Sequence, residues 1–288
     1  MNLKCYYFGT ALLAVLILLF SCEDGGNEAE EQIADTTLIE VQSNDEVYSF
    51  VPPSPLQIAS IFRRSGLEFV DDVTNPVENI SVYSSSIKKQ LNFGVYSADL
   101  SYCVLNNQSQ DALNYMKAVR QLSDDMGMST DMNSEQLFES FNANIGNEDS
   151  MISILATVQE GMDDYLQDSE QQYLAAIFFA GGWIEGMYIG ANVAKTMNTE
   201  LVKRLVEQMN ILDGLIRGLH NYPNANEEIK KLIVDLELIK DIYENFSAIK
   251  GIDVEADEFS YDTVKISEEE LNTLKTKINE TRNWIVEV

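Results

Sequence analysis

Apolar residues recur at helical spacing through most of the chain. Ser54-Pro55 reads as a cap with proline in the first turn, which predicts a helix ending near Gly66. Further helices are expected over residues 83–106, 109–126, 133–145, 148–167 and 170–197, with breaks at Asn106-Asn107, Gly127 and Gly146-Asn147. Leu201, Leu205, Leu212, Leu215 and Leu219 mark one stripe over 199–219. Ile229, Ile233, Leu236, Ile239, Tyr243 and Phe246 mark another over 226–249. The breaker Asn221-Tyr222-Pro223-Asn224 between them predicts an antiparallel helical hairpin. Ser267-Glu268-Glu269-Glu270 has the form of a capping box opening a last helix that runs to about Trp284. Strand signals are few, with one short candidate in 38–50 before Pro52, Pro53 and Pro55, and no repeat of fixed period is found. The expected fold class is all-α, an antiparallel multi-helix bundle or array forming a single domain over residues 51–288.

Two segments depart from an ordinary amphipathic pattern. In Ala180-Gly181-Gly182-Trp183-Ile184-Glu185-Gly186-Met187-Tyr188-Ile189-Gly190, the small residues Gly182, Gly186, Gly190 and Ala194 recur every four positions and share one helix face. A glycine inside a helix costs up to about 1 kcal/mol, so three on one stripe require a compensating gain. Close approach of a neighbouring backbone supplies it. Glu185 is the only charge between Tyr173 and Ala194. The run is about long enough to cross a membrane, but a central acid and flanks without a positive cluster favour a buried core helix. The second segment, Asn92 to Tyr102, has the same grammar: Gly94 and Ala98 form a small stripe, and Asp99 is a lone acid among apolar and aromatic residues. The expectation is that these two helices pack together and bring Asp99 and Glu185 into one interior region.

The N-terminus carries different information. Lys4 precedes an uncharged apolar run from Tyr6 to Phe20, too short for a comfortable membrane span and placed where a signal peptide belongs. The run closes on Leu19-Phe20-Ser21-Cys22, which resembles the lipobox of bacterial lipoproteins. That resemblance implies removal of residues 1–21, acylation of Cys22 and anchoring in a lipid bilayer. Residues 22–50 begin with an acidic, apolar-poor stretch and read as the lipidated cysteine followed by a flexible linker. Glu23 and Asp24 behind the cysteine resemble the surface-export signal of Bacteroidota lipoproteins. Asp35-Thr36-Thr37, Asp149-Ser150-Met151 and Asp262-Thr263-Val264 resemble the O-glycosylation tripeptide of the same group.

Composition narrows the function. The formal charge of −28 becomes one unit more negative once Lys4 is removed with the signal, a balance that repels phosphate backbones and argues against nucleic acid. Cys103 alone would remain as a free thiol in the mature domain, so no internal disulfide is expected, and its apolar surroundings read as core. His220 is the only histidine and lies far from it in sequence. No phosphate loop, nucleophile elbow or zinc-protease motif is present, and the pattern 142–147 is an incomplete calcium loop, so no catalytic residue, metal site or cofactor is assigned.

The segments around 92–102 and 180–190, with the Asn75-Pro76 turn before them, resemble a group of uncharacterised Bacteroidota lipoproteins over roughly residues 50–195. The resemblance implies compartment and helical fold, without an activity. Candidate partners for the two acids are Tyr96, Tyr102, Tyr188, Asn192, Lys88 and Lys89, since buried carboxylates are ordinarily satisfied by hydroxyls, amides or a basic group. The expected function is a non-enzymatic, lipid-anchored outer-membrane protein, periplasmic or surface-facing, that binds an envelope partner or scaffolds a complex. The alternative is a small-molecule or cation-binding module with its pocket beside Asp99 and Glu185.

Overall fold

A computed structural model describes residues 53–128, 134–193, 199–252 and 264–287. Cys22, the acidic linker, the strand candidate in 38–50 and the tripeptide residues 35–37 and 262–263 lie outside the described residues. The described chain is all-α, without a strand among the described residues. In chain order the helices are α1 (Pro55–Arg64), a 3₁₀ turn (Val77–Val82), α2 (Ser86–Leu105), α3 (Ser109–Asp125), α4 (Ser134–Ala143) and α5 (Glu148–Asp168). They continue with α6 (Tyr173–Val193), α7 (Thr199–Glu207), α8 (Met209–His220), α9 (Glu227–Glu244) and α10 (Glu268–Val286).

Local chemistry sets these boundaries. Ser54 and Gln57 form a reciprocal capping box with Pro55 in the first turn of α1, and Ser267 with Glu270 does the same for α10. Ser85, Asn147 and Asn226 each accept a backbone N–H at the starts of α2, α5 and α9. The breaks at Gly127 and Gly146 coincide with left-handed backbone, φ 79° and 84°, which glycine adopts without penalty.

The stripe over 199–219 is one helix by its periodicity and two in the structure. At Gln208 the ladder tightens: the Ile211 N–H bonds the Gln208 carbonyl three residues back, so α7 and α8 meet at a 3₁₀ step. The hairpin expected from this region is present. His220 faces Glu237, Asp213 pairs with Lys240, and the Leu205 carbonyl accepts from the Tyr243 hydroxyl at 2.6 Å. The first member of each pair descends in number as the second rises, so α9 runs antiparallel to α7 and α8.

Helices α2 and α6 form the centre. Sixteen of the 20 residues of α2 are buried, and α6, long and apolar enough to cross a membrane, has 89% of its most apolar window inside the protein. The contact between them is backbone on backbone. A Cβ on Gly94 would overlap the Phe178 carbonyl oxygen, and one on Gly181 would overlap the Leu91 carbonyl oxygen. The glycine stripe expected on α6 is therefore shared between two neighbours. Gly182 faces Gly94, but a Cβ on Gly186 would meet Ile58 at 2.9 Å and one on Gly190 would meet Phe62 at 3.1 Å, both side chains of α1. Ala98 is buried one turn beyond Gly94. Gly181, outside the four-residue spacing, makes the tighter approach.

Helix α10 closes the opposite side. Arg282 reaches Glu185 and the Asn279 amide oxygen accepts from Asn192, so α10 runs antiparallel to α6. Lys277 bonds Asp235 at 2.7 Å and joins α10 to α9. One continuous hydrophobic core links all these elements.

Substitution should separate the two kinds of glycine. Gly94→Ala and Gly181→Ala drive a methyl into a carbonyl that cannot move without its helix, and should cost about 3 kcal/mol or more. Gly190→Ala meets the rim of the Phe62 ring and should cost about 1–2 kcal/mol. Urea denaturation of the three variants measures the order, and equal losses would refute the backbone contact.

Candidate functional site

Asp99 and Glu185 are both fully buried, and the close approach of α2 and α6 brings them together. Glu185 has both oxygens taken by Arg282, with Nε donating to Oε2 at 2.9 Å and Nη2 to Oε1 at 3.0 Å. This fork geometry is the strongest way to hold a carboxylate. The guanidinium lies 4.4 Å from the centroid of the Tyr188 ring, nearly one turn along α6 from Glu185. Burial works against the Arg282 charge, yet the Glu185 carboxylate and its hydrogen bonds hold the guanidinium above its ordinary pKa.

Asp99 is held differently. Its Oδ2 accepts the Asn75 N–H at 3.1 Å, while Oδ1 is buried without a nitrogen or hydroxyl donor. Its neighbour within hydrogen-bonding reach is the Glu185 carboxylate. Two carboxyl groups can bond only through a proton. Burial first, then the Glu185 charge, push the Asp99 pKa well above 3.8, and the opposing pull of Arg282 and the Asn75 N–H does not prevail. The direction favours the protonated carboxyl, which is the form able to donate to Glu185. With Asp99 protonated, the Arg282–Glu185 fork leaves this interior region without net charge. Ionising Asp99 would bury an uncompensated negative charge, which is the costly arrangement.

The surrounding polar groups lock this trio to the 74–76 turn. The Asn75 side-chain amide donates to the Tyr83 hydroxyl at 2.9 Å and to Asn92 Oδ1 at 3.3 Å. Tyr96 donates to the Pro76 carbonyl at 3.0 Å, and Tyr115 to the Asn75 carbonyl at 3.1 Å. Asn92 in turn donates to the Ile285 carbonyl at 3.0 Å, near the end of α10. Burial raises the pKa values of Tyr83, Tyr96 and Tyr115, so these phenols stay protonated and do not act as bases.

The residues expected to partner the acids divide into three groups. Tyr96 and Tyr188 belong to the cluster, Tyr96 through the Pro76 turn and Tyr188 through the face of Arg282. Tyr102 does not: its hydroxyl accepts from the Val70 N–H and donates to the Glu68 carbonyl, pinning a different loop. Asn192 bonds the Tyr188 carbonyl and Asn279, two turns from Glu185. Neither lysine reaches the acids, because Lys88 bonds the Trp284 and Ile285 carbonyls and Lys89 pairs with Asp125 at 3.3 Å. The partner that does, Arg282, has a sequence signal. It falls on the apolar stripe Leu274, Ile278, Arg282, Ile285 of the last helix, where a cation needs a buried anion. Cys103 is buried, and that burial raises its thiol pKa, leaving it unreactive.

The alternative reading places a pocket beside Asp99 and Glu185, whereas an apolar cavity lies elsewhere, between α5 and the central pair. It has a volume of about 490 Å³ and is lined by neither acid. Phe93, Ser97, Leu100 and Ser101 of α2 face it, with Phe178 and Phe179 of α6 and Ile152, Leu155 and Met162 of α5, and Pro53–Gln57 at one end. Asp99 is two residues from Ser97, about 200° around α2, so the cavity and the carboxylates occupy opposite faces of one helix. Ser97 and Ser101 spend their hydroxyl protons on carbonyls four residues back. The cavity is an apolar cleft, and the acid cluster is sealed scaffold.

No family model, curated protein or solved structure matches the chain, so the chemistry of these two features is read from their geometry.

Protonation of Asp99 has a thermodynamic signature. The folded state keeps its proton in a range where the unfolded chain releases it. This contribution is present in full below the unfolded pKa near 3.8, and is lost as pH rises toward the folded pKa. Asp99→Asn keeps the acceptor for Asn75 and replaces the proton by an amide N–H. It should match the parent near pH 4 and become the more stable of the two as pH rises, by roughly a factor of ten in the folding equilibrium per pH unit within that window. Parallel urea titrations from pH 4 to 8 measure this, and a gap that stays constant with pH would mean Asp99 is ionised.

Removing the cation tests the rest of the trio. Arg282→Met should cost about 3–5 kcal/mol by stranding Glu185, and the double variant Arg282→Met/Glu185→Met should recover most of it. A double variant no more stable than the single one would show that the ion pair is not what Arg282 contributes.

Proposed function

We propose that this chain is a lipid-anchored, non-enzymatic envelope protein whose helical body binds an apolar partner molecule in the cleft between α5 and the central helices. The observation that carries the reading is the separation of the two features. The groups with chemical potential are sealed and internally neutralised, whereas the concave surface open to a ligand is apolar. A volume near 490 Å³ falls within the range of small-molecule sites, which are mostly apolar with few polar groups. The anchor part of the reading rests on Cys22 and the lipobox-like residues before it. The acidic surface supports a protein held close to a crowded interface and kept from phosphate-rich polymers.

Two variants divide this reading. Cys22→Ser should move the protein from the membrane fraction to the aqueous envelope extract without altering its helical circular dichroism. Ala156→Trp, at an exposed α5 position on the cleft lining, should fill the cleft without disturbing the core. The unacylated Cys22→Ser chain should bind the neutral fluorophore N-phenyl-1-naphthylamine saturably, one to one, and addition of Ala156→Trp should abolish that binding. Fluorescence that rises without saturation, or that ignores the tryptophan, would remove the cleft from consideration.

A further inference from the structure

The cleft is not electrically neutral at its rim, and the asymmetry names a ligand class. Helix α5 contains six acids, Glu148, Asp149, Glu160, Asp163, Asp164 and Asp168, and neither lysine nor arginine. Asp149, Ser153, Ala156, Glu160 and Asp163 are spaced alternately by four and three residues, so they follow one line along the helix, and all five line the cleft. The line is about 21 Å long at 1.5 Å per residue. Ile152, Leu155 and Met162 lie beside it on the apolar lining. No basic side chain is among the described residues that line the cleft.

The two ends of this line differ. Asp149 sits in the first turn of α5, where the helix dipole favours an anion. Glu160 and Asp163 sit in the second half, with Asp164 and Asp168 beyond them toward a C-terminus whose own partial charge is negative. Negative charge concentrated there opposes the helix that carries it, and a cation placed at that end removes the opposition. An apolar trough ending in uncompensated carboxylates is complementary to a molecule with an apolar body and a positive head.

Helix α5 is also the wall most able to yield. Only Met151, Ile152, Leu155 and Leu166 of its 21 residues are buried, against sixteen of 20 in α2. Local stability follows buried apolar contact, so α5 can open for an elongated guest while α2 and α6 stay fixed.

We propose that the cleft binds a cationic amphiphile, with its apolar body between α5 and the α2–α6 pair and its ammonium head at Glu160 and Asp163. This rests on the cleft being a binding site and specifies what enters it. The head-group pair supplies preference through charge, and the apolar walls supply most of the affinity.

The test is isothermal titration of the unacylated chain from residue 22 onward (Cys22→Ser) with decyltrimethylammonium, decanol and decanoate, each below its micellar range. Decyltrimethylammonium should bind one to one, about tenfold or more tighter than decanoate, with decanol between them. Glu160→Gln/Asp163→Asn lies at exposed positions and should bring the ammonium affinity to that of decanol, leaving decanol itself unchanged. Ala156→Trp should abolish binding of all three. Equal affinity for the three head groups, with saturable binding of the neutral fluorophore retained, overturns the cationic ligand and leaves the apolar cleft standing. Loss of both overturns the cleft as well. If binding appears only after residues 23–50 are deleted, the cleft belongs to the chain's own tether, which also overturns the proposal.

Discussion

The fork between Arg282 and Glu185 is the interaction on which the rest of the structure depends. It lies 97 residues apart in sequence and joins the last helix to the central one. A buried ion pair is a poor source of net stability, because desolvating two charges offsets most of their attraction. Its value here is positional. An apolar α10 could slide or rotate on α6 at little cost, whereas the bidentate geometry and the Tyr188 ring beneath the guanidinium permit one register. From that register follow the Asn192–Asn279 pair, the Lys277–Asp235 bridge to α9 and the Asn92 bond to the end of α10. Asp99 is buried in the same region, where burial and the Glu185 charge raise its pKa and so favour the uncharged form beside the pair.

That arrangement is possible only because the two central helices approach to backbone contact. With side chains at positions 94 and 181, α2 and α6 would stand further apart and the two carboxyls would be drawn away from each other. The glycines and the acids are thus two halves of one device: the first sets the separation, the second fills the polar gap that the separation leaves. The entropic cost of glycine within a helix is offset by the density of the contact. The tyrosines and Asn75 complete it by tying the 74–76 turn to the same point.

Much of this was legible in the sequence, and the parts that were not have physical reasons. The caps at Ser54 and Ser267, the glycine breaks and the antiparallel hairpin are local features, written within a few residues of where they act. The meeting of Asp99 and Glu185 was readable because small-residue spacing reports how closely helices pack and lone acids in apolar runs must be satisfied. Spacing alone could not say which neighbour each glycine would meet, so the single stripe Gly182, Gly186, Gly190 proved to serve α2 at one end and α1 at the other. Lys88 and Lys89, on the helix expected to pack against α6, are the cations the sequence offers for Glu185, although any residue whose helix docks against α6 can supply one, as Arg282 does. Arg282 marks itself only by its place on an apolar stripe, a signal that needs the tertiary partner to be interpreted. The cavity was harder still, since a cleft is defined by where α5 fails to close on the core, and no motif encodes a failure to pack.

The division of labour between the two faces of α2 follows from this. On one face the Glu185 carboxylate is matched by Arg282 and the polar groups of the 74–76 turn are tied to α2, α3 and α10, so that side is held in one arrangement. On the other, the serine hydroxyls are turned back onto their own helix, the walls are aromatic and aliphatic, and the covering helix is thinly buried and wholly anionic. Energy concentrated in the first face permits looseness in the second: a central pair that holds its register without α5 can leave α5 free to adapt. The two carboxyl groups lie sealed behind α2, and the surface left open beside α5 is apolar with acids along its rim, so one helix separates the charged interior from the accessible cleft.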